Sequence, residues 1–296
     1  MMKDKDLLIV DNVSKKYRGF SLENISFRLP KGYILGLIGK NGAGKTTLMN
    51  CILGAIDYKG KISVDGEINT VHRRAASENV GFIMEDGPFF QKETLLKNGE
   101  LLGNLYENWN EEKFHKLLSE FGLYYDTEYR ELSKGMETKF QLAFSLAHSP
   151  KLLILDEPTG GLDPVFRKDF LSILQNVVNR EMLSVIISTH LTTDLDKVAD
   201  YVMMIDDGKM VFYEDKETLL DSYMLVSGNI DLLKEIPKTA YKRIRKKGNV
   251  FQTIFTEKEY LKNHSAFAGR LQAERTNLEE IMYFLSAPVI ELTGEN

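Results

Sequence analysis

The segment GKNGAGKT, Gly39 to Thr46, constrains this chain more than any other. It fits the pattern G-x-x-x-x-G-K-[ST], and it lies between the apolar run YILGLIG (Tyr33–Gly39) and a helical pattern over Lys45–Leu53. A strand that ends in such a loop and leads straight into a helix is the context in which the pattern has physical meaning. Glycines 39, 42 and 44 let the backbone curl so that its N–H groups converge on an anion, and the helix directs its positive end to the same point. Gly39, Lys40, Asn41, Gly42, Ala43, Gly44, Lys45, Thr46 and Thr47 therefore form a candidate nucleotide cradle. In it Lys45 reaches the β- and γ-phosphates and the Thr46 hydroxyl ligates magnesium.

A loop of this kind needs an open parallel sheet, and the chain supplies one. LLIL (Leu152–Leu155) and VIIS (Val185–Ser188) are apolar like Tyr33–Gly39, as expected of strands buried on both faces. Helical patterns at Glu111–Phe121, Glu137–His148 and Val165–Val178 lie between or beside them. The fold class is α/β, with a parallel sheet covered on both sides. Leu7–Val13, Ile25–Leu29 and Lys59–Gly66 mix β-branched and polar residues and predict a smaller antiparallel sheet. Residues from about 87 to 150 read as mostly helical.

Ligands of open α/β sheets sit at the carboxyl ends of the strands. LLILDEP places Asp156 and Glu157 there, Asp156 suited to the magnesium shell and Glu157 to polarising a water for attack on the γ-phosphate. SVIISTH places His190 at a third strand end, where a neutral imidazole can hydrogen-bond the γ-phosphate. His72, His115, His148 and His264 read as structural.

Composition narrows the partners. With 38 basic and 43 acidic side chains the net charge is −5, a poor match for a nucleic-acid coat, and no nucleic acid is expected. Cys51, the only cysteine, cannot form an internal disulfide and fits a reducing compartment. No run approaches 18 apolar residues, and the N-terminus lacks the apolar core of a signal peptide. The expectation is a cytoplasmic protein.

With these motifs in order, the chain resembles the ATP-binding subunit of an ABC transporter from Leu7 to about Leu220. The resemblance implies a P-loop NTPase cassette of the ABC type. Its parts are a RecA-like parallel core, an antiparallel β subdomain and a helical subdomain at about 87–150. LSKGM, Leu132–Met136, stands where the family has LSGGQ, and GGLD, Gly160–Asp163, resembles the D-loop. Tyr17, 28 residues before Lys45, matches the aromatic that stacks on adenine. Glu85 aligns with the Q-loop glutamine and would contact magnesium or water. Two such domains pack head to tail around two ATP molecules, so Ser133, Lys134, Gly135, Met136 and Asp163 would serve the site completed by a second ATPase subunit, identical or related. Lys134 replaces a glycine and adds charge; Met136 replaces glutamine and cannot hydrogen-bond as it does.

The resemblance further implies a separate integral membrane subunit docking near Asp86–Gln91, and a place at the inner face of the cell membrane. Pro88, Phe89 and Phe90 suit a socket for a partner helix, or equally a place for both rings beneath the helical subdomain. In its LSKGM signature and C-terminal tail the chain resembles the ATP-binding subunits of small bacterial exporters of peptides, lantibiotics, bacitracin-like antibiotics or other amphipathic molecules, which often carry such a tail. Export powered by ATP is the leading expectation. The alternative is a soluble ABC ATPase that remodels a protein or ribosome complex; its ribosome-acting members usually carry two cassettes, whereas this chain has one phosphate loop.

Residues 1–222 are thus expected to form the cassette and 223–296 a small α+β accessory domain. AYKRIRKKGNVFQTIFT reads as strand, turn, strand, and Asn277 with Glu280 predicts a capping box for a helix over TNLEEIMYFLS. The basic run Lys242–Lys247 is expected to be a solvated face.

Overall fold

The computed structural model describes residues 6–68, 78–84, 87–238, 241, 243–257, 259–260 and 269–286. At its centre is a six-stranded sheet in the order β10-β9-β3-β8-β7-β6. Its members are β3 (Ile34–Ile38), β6 (Val80–Ile83), β7 (Leu152–Asp156), β8 (Ser184–Ser188), β9 (Tyr201–Asp206) and β10 (Lys209–Asp215). All neighbours run parallel except β9 and β10, which form a hairpin at one edge.

Period-two alternation explains why β3, β7 and β8 contain almost no polar residue. Leu35, Leu37, Leu152, Ile154 and Ile186 face one buried cluster; Ile34, Ile38, Leu153, Leu155, Val185 and Ile187 face another. The first cluster continues through Leu48, Met49, Cys51 and Ile52 of α1 (Lys45–Leu53) into an antiparallel sheet. That sheet comprises β1 (Asp6–Tyr17), β2 (Phe20–Pro30), β4 (Lys59–Val64) and β5 (Glu67–Ile68), in the order β2-β1-β4-β5. α1 is thereby held between two sheets. Burial pushes the Cys51 thiol up to about 11, which keeps it protonated.

The second cluster joins the parallel sheet to the predicted helical region. It contains α2 (Leu95–Gly103), α3 (Glu111–Glu120) and α4 (Lys134–Ala147). Phe114, Phe140 and Phe144 are its largest fully buried side chains in this region. α4 also solves the edge problem of β6, which has no strand on its outer side among the described residues. Ser145 Oγ accepts from Phe82 N at 3.2 Å and donates to Phe82 O at 2.7 Å, and Gln141 Oε1 accepts from Met84 N at 3.0 Å. α4 begins three residues earlier than its apolar pattern predicts, because Ser133 caps it by accepting from Met136 N. Beyond β7, α5 (Pro164–Glu181) and α6 (Thr192–Val198) cover the same sheet face, and α7 (Lys216–Ser222) follows β10.

A third sheet follows α7. Its strands β11 (Tyr223–Asn229), β12 (Arg245–Lys247), β13 (Val250–Thr256) and β14 (Gln272–Arg275) lie antiparallel in the order β12-β13-β11-β14. The expected hairpin is β12–β13. α8 (Leu278–Leu285) packs against α6 of the central unit, with Leu278, Ile281, Phe284 and Leu285 buried. Asn277 Oδ1 accepts from Glu280 N at 2.9 Å, but the predicted box does not close. The Glu280 carboxylate accepts two bonds from Arg245 instead, each 2.9 Å, because a bidentate guanidinium is a stronger partner than one backbone N–H. The basic run is also only partly a solvated face. Lys246 and Lys247 are exposed, whereas Arg243 and Arg245 lie over the Tyr283 ring at 4.2 and 4.4 Å. Lys242 lies outside the described residues.

Candidate functional site

The strand register assembles the site. Leu37 of β3 is level with Ser188 of β8, and Ser188 is level with Asp156 of β7. The loop leaving β3, the acids ending β7 and the histidine following β8 therefore meet at one edge of the sheet, its carboxyl end.

Gly39 turns the loop away from β3 in a place only glycine fits. A Cβ there would lie 2.3 Å from the Ile205 carbonyl oxygen. The loop delivers the chain into α1, whose N-terminus carries no side-chain cap and no acidic residue in its first turn. Thr94, Asn110, Ser133 and Asp163 cap α2, α3, α4 and α5. The contrast leaves the first N–H groups of α1 and its positive end directed at the cleft, the arrangement that binds phosphate. Lys45 is buried, with Nζ donating to Gly39 O at 2.8 Å and Lys40 O at 3.3 Å. The cleft has a volume of about 690 Å³ and is lined by Asn41, Gly42, Gly44, Lys45, Thr46, Thr47, Asp156 and Glu157, with Gly19 and Phe20 from the β1–β2 turn.

A continuous set of hydrogen bonds ties the strand ends together. Thr46 Oγ1 donates to Asp156 Oδ2 at 2.7 Å, and Ser188 Oγ donates to Asp156 Oδ1 at 2.5 Å. The same Ser188 Oγ accepts from Glu157 N at 3.0 Å. His190 Nδ1 lies 2.8 Å from Glu157 Oε2. Glu157 has φ 48°, the left-handed region that non-glycine residues rarely occupy. Strain of that kind persists where the surroundings fix the backbone, commonly at functional sites. Beneath this layer Thr159 Oγ1 donates to the buried Asp194 carboxylate at 2.9 Å, fastening the turn after Glu157 to α6.

The remaining expected residues fall elsewhere. Tyr17 ends β1 with 43% of its surface exposed and does not line the cleft; Phe20 does. The two lie at opposite ends of one tight turn, so spacing along the chain did not distinguish them. Asp163 Oδ1 accepts from Val165 N at 3.1 Å and Phe166 N at 3.0 Å, so one of its carboxylate oxygens caps α5. Ser133 likewise caps α4, and Lys134 pairs with Glu137 at 3.6 Å. Lys134 also borders a cleft of about 80 Å³ shared with Asp156 and Glu157. Gly135 is packed so closely on Phe166 that a Cβ would lie 2.9 Å from its ring, while Met136 is half-buried against the core. Glu85 and Asp86 lie outside the described residues.

The two phenylalanines after them separate. Phe89 is buried, stacked at 5.2 Å on Tyr129 and edge-on at 4.9 Å to Phe140, so it belongs to the core. Phe90 is 49% exposed. Its backbone is clamped by the fully buried Asn98, which accepts from Phe90 N at 2.8 Å and donates to Phe90 O at 3.1 Å. Sequence reasoning placed Ser188 only within the STH segment and gave no role to it or to Asp194, Phe20 and Asn98, whose roles depend on which elements become neighbours.

Known proteins share this arrangement. Residues 22–160 match the family described as "ABC transporter". An uncharacterised ABC transporter ATP-binding protein of Bacillus subtilis, YdbJ, is 32% identical over 69% of this chain and 68% of its own length. The lantibiotic transport ATP-binding protein SrtF of Streptococcus pyogenes is 31% identical over 72% of this chain and 94% of its own. A solved structure described as the ATP-binding subunit of an ABC transporter superimposes with a TM-score of 0.66 at 25% identity, covering 72% of this chain and 91% of that one. An uncapped helix facing a glycine loop, two acids at the end of β7 and relatives of this kind lead to one assignment: the chain belongs to the ATP-binding, ATP-hydrolysing proteins of the ABC transporter family.

Proposed function

We propose that this protein energises the export of a peptide, antibiotic or other amphipathic molecule through a separate integral membrane subunit, working as one of two ATPase subunits at the inner face of the membrane. The observation that carries the motor reading is the hydrogen-bonded path from Thr46 through Asp156 and Ser188 to Glu157 and His190. Export is supported by the likeness to SrtF, described as a lantibiotic transport protein. A separate membrane subunit is supported by the described residues, among which no helix is long and apolar enough to cross a membrane.

In this reading the N–H groups of residues 39–47 and the Lys45 ammonium bind the ATP phosphates. Thr46 and Asp156 offer one hydroxyl and one carboxylate, the hard-oxygen set that suits Mg2+, which is usually held by one or two protein oxygens together with phosphates and water. When bound, Mg2+ neutralises charge on the phosphates. Glu157 accepts the proton of the attacking water, and His190 orients the Glu157 carboxylate and contacts the γ-phosphate. Phe20, with Tyr17 beside the same turn, borders the nucleotide base. Ser133, Lys134, Gly135 and Met136 face the second subunit's nucleotide, with the Asp163 turn beside them. Glu85 acts next to the attacking water.

Residues 1–222 constitute the motor and residues 223–296 an accessory domain. The membrane subunit docks near Asp86–Gln91, where Phe90 supplies an exposed apolar contact on a backbone fixed by Asn98. Affinity purification from detergent-extracted native membranes tests the reading. An integral membrane protein should be recovered with the parent chain and lost with Phe90→Glu, and its presence should alter the ATPase rate. Recovery of ribosomes or a soluble complex in its place would reject export in favour of soluble remodelling.

A further inference from the structure

We propose that Ser188 is a positioning residue for the ATPase site, one hydroxyl that sets the Asp156 carboxylate for the cation and anchors the strained backbone of Glu157. The proposal deepens the motor reading and rests on Asp156 as the cation's protein carboxylate. Ser188 is the last residue of β8 and is fully buried. β8 lies between the strand that feeds the phosphate loop and the strand that ends in the acids.

A serine hydroxyl has one proton and lone pairs to accept with. The Glu157 N–H, 3.0 Å away, can only donate, so it occupies a Ser188 lone pair. The Ser188 proton is then directed to Asp156 Oδ1, 2.5 Å away. Thr46 donates to the other oxygen, Oδ2. With a donor on each oxygen, from different elements, rotation of the carboxylate about its Cβ–Cγ bond is arrested. Its orientation toward the cation and the phosphate loop is set before anything binds. The same hydroxyl holds the N–H of Glu157 at φ 48°, a backbone conformation that needs external support. His190 follows two residues after Ser188 and meets the Glu157 carboxylate. A single side chain thus ties the cation ligand, the proton acceptor and the histidine to one register. Outer hydrogen bonds of this type tune metal ligands elsewhere.

The effect should appear in metal binding itself. Mn2+ can be titrated into the ADP-loaded protein and followed by electron paramagnetic resonance, with ADP affinity in chelator measured in parallel. For Ser188→Ala, half-saturation by Mn2+ should rise about tenfold, in the range seen when outer-shell partners of metal ligands are removed. ADP affinity without metal should stay within about twofold, because Lys45 and the loop amides are untouched. Ser188→Cys keeps the size and lacks a strong donor, so it should behave the same way and serves if the alanine variant fails to fold. Unchanged Mn2+ affinity in a folded variant would overturn the proposal, as would an equal loss of metal-free ADP affinity, which denotes general damage. Asp156→Asn separates the two levels. If it weakens Mn2+ binding and Ser188→Ala does not, only the role of Ser188 falls; if Asp156→Asn has no effect, the cation assignment falls with it.

Discussion

Lys45 is buried, and its Nζ donates to carbonyl oxygens of the loop it serves. Exchanging those partners for phosphate oxygens costs the protein little rearrangement. Removing the ammonium leaves the anion with backbone N–H groups alone. Lys45→Ala should therefore lower ATP affinity or turnover by about a hundredfold or more, since charge-assisted contacts to phosphate are among the strongest available to a side chain. Equilibrium binding of a fluorescent ATP analogue and steady-state hydrolysis check this, and parent-like values for both would reject the phosphate loop. Glu157→Gln retains the side chain's size but cannot accept a proton. Turnover should fall by about 10²–10⁴-fold while ATP still binds, the usual scale for loss of a general base. The stalled variant should elute as an ATP-dependent dimer in size-exclusion chromatography; hydrolysis at the parent rate would remove Glu157 from the role. Both residues were legible from sequence, because each sits in a short motif whose chemistry is local. Ser188 was not, since nothing in STH reveals that β8 is level with β7 at Asp156.

At the scale of elements, caps and strand edges decided what sequence could and could not deliver. The apolar pattern located α3, α4 and α5 but missed the start of α4, because an N-cap is signalled by one polar side chain rather than by periodicity. Asp163 shows the converse: a residue matched to a family motif also holds a helix end, which the motif alone does not signal. Asp163→Ala should cost about 1 kcal/mol of stability through α5, and Asp163→Asn much less, because asparagine caps as well. Urea midpoints of the two variants check the order. The C-terminal end of α4 carries a pH dependence. His148 stacks on Tyr106 at 4.1 Å, and its Nδ1 lies 3.2 Å from Glu78 O. Burial is the main reason its pKa falls to about 4, with the charge of Lys113 adding to it. The unfolded chain takes up this proton near pH 6.5, and the fold resists it until near pH 4. The stability tied to neutral His148 is thus complete above about pH 6.5 and is lost as the pH falls toward 4, up to about 3 kcal/mol in all. His148→Gln, which keeps a donor for Glu78 O, should flatten urea stability between pH 7 and 5 relative to the parent. An unchanged slope would assign the acid sensitivity to other groups.

For the whole molecule, the open question is whether residues 223–296 are an appendage or part of the motor's core. The sequence showed a β12–β13 hairpin and a terminal helix, both local features. It could not show that β11 lies between β13 and β14, or where α8 would dock, because those depend on long-range pairing. The docking site bears on it. Ile281 and Phe284 of α8 share one buried cluster with Leu195 and Val198 of α6 and with Leu174 and Val177 of α5. α6 starts two residues after His190 and is fastened through Asp194 to the turn that follows Glu157. The C-terminal sheet consequently reaches the ATPase site through two packed helices. Cutting the chain after Ser222 would strip α8 from α6 and present Leu195 and Val198 to water. The truncated protein should melt well below the full chain, and it should lose turnover more than nucleotide binding, since α6 leads back to His190 and the turn after Glu157 rather than to Lys45. Phe284→Ala tests the same contact without truncation. Emptying a fully buried phenylalanine site costs about 3–5 kcal/mol, enough to move the midpoint of a thermal melt plainly. The parent should unfold in one transition. Two separated transitions, with only the smaller shifted by Phe284→Ala, would mean that the C-terminal sheet folds on its own and that α8 merely rests on the motor.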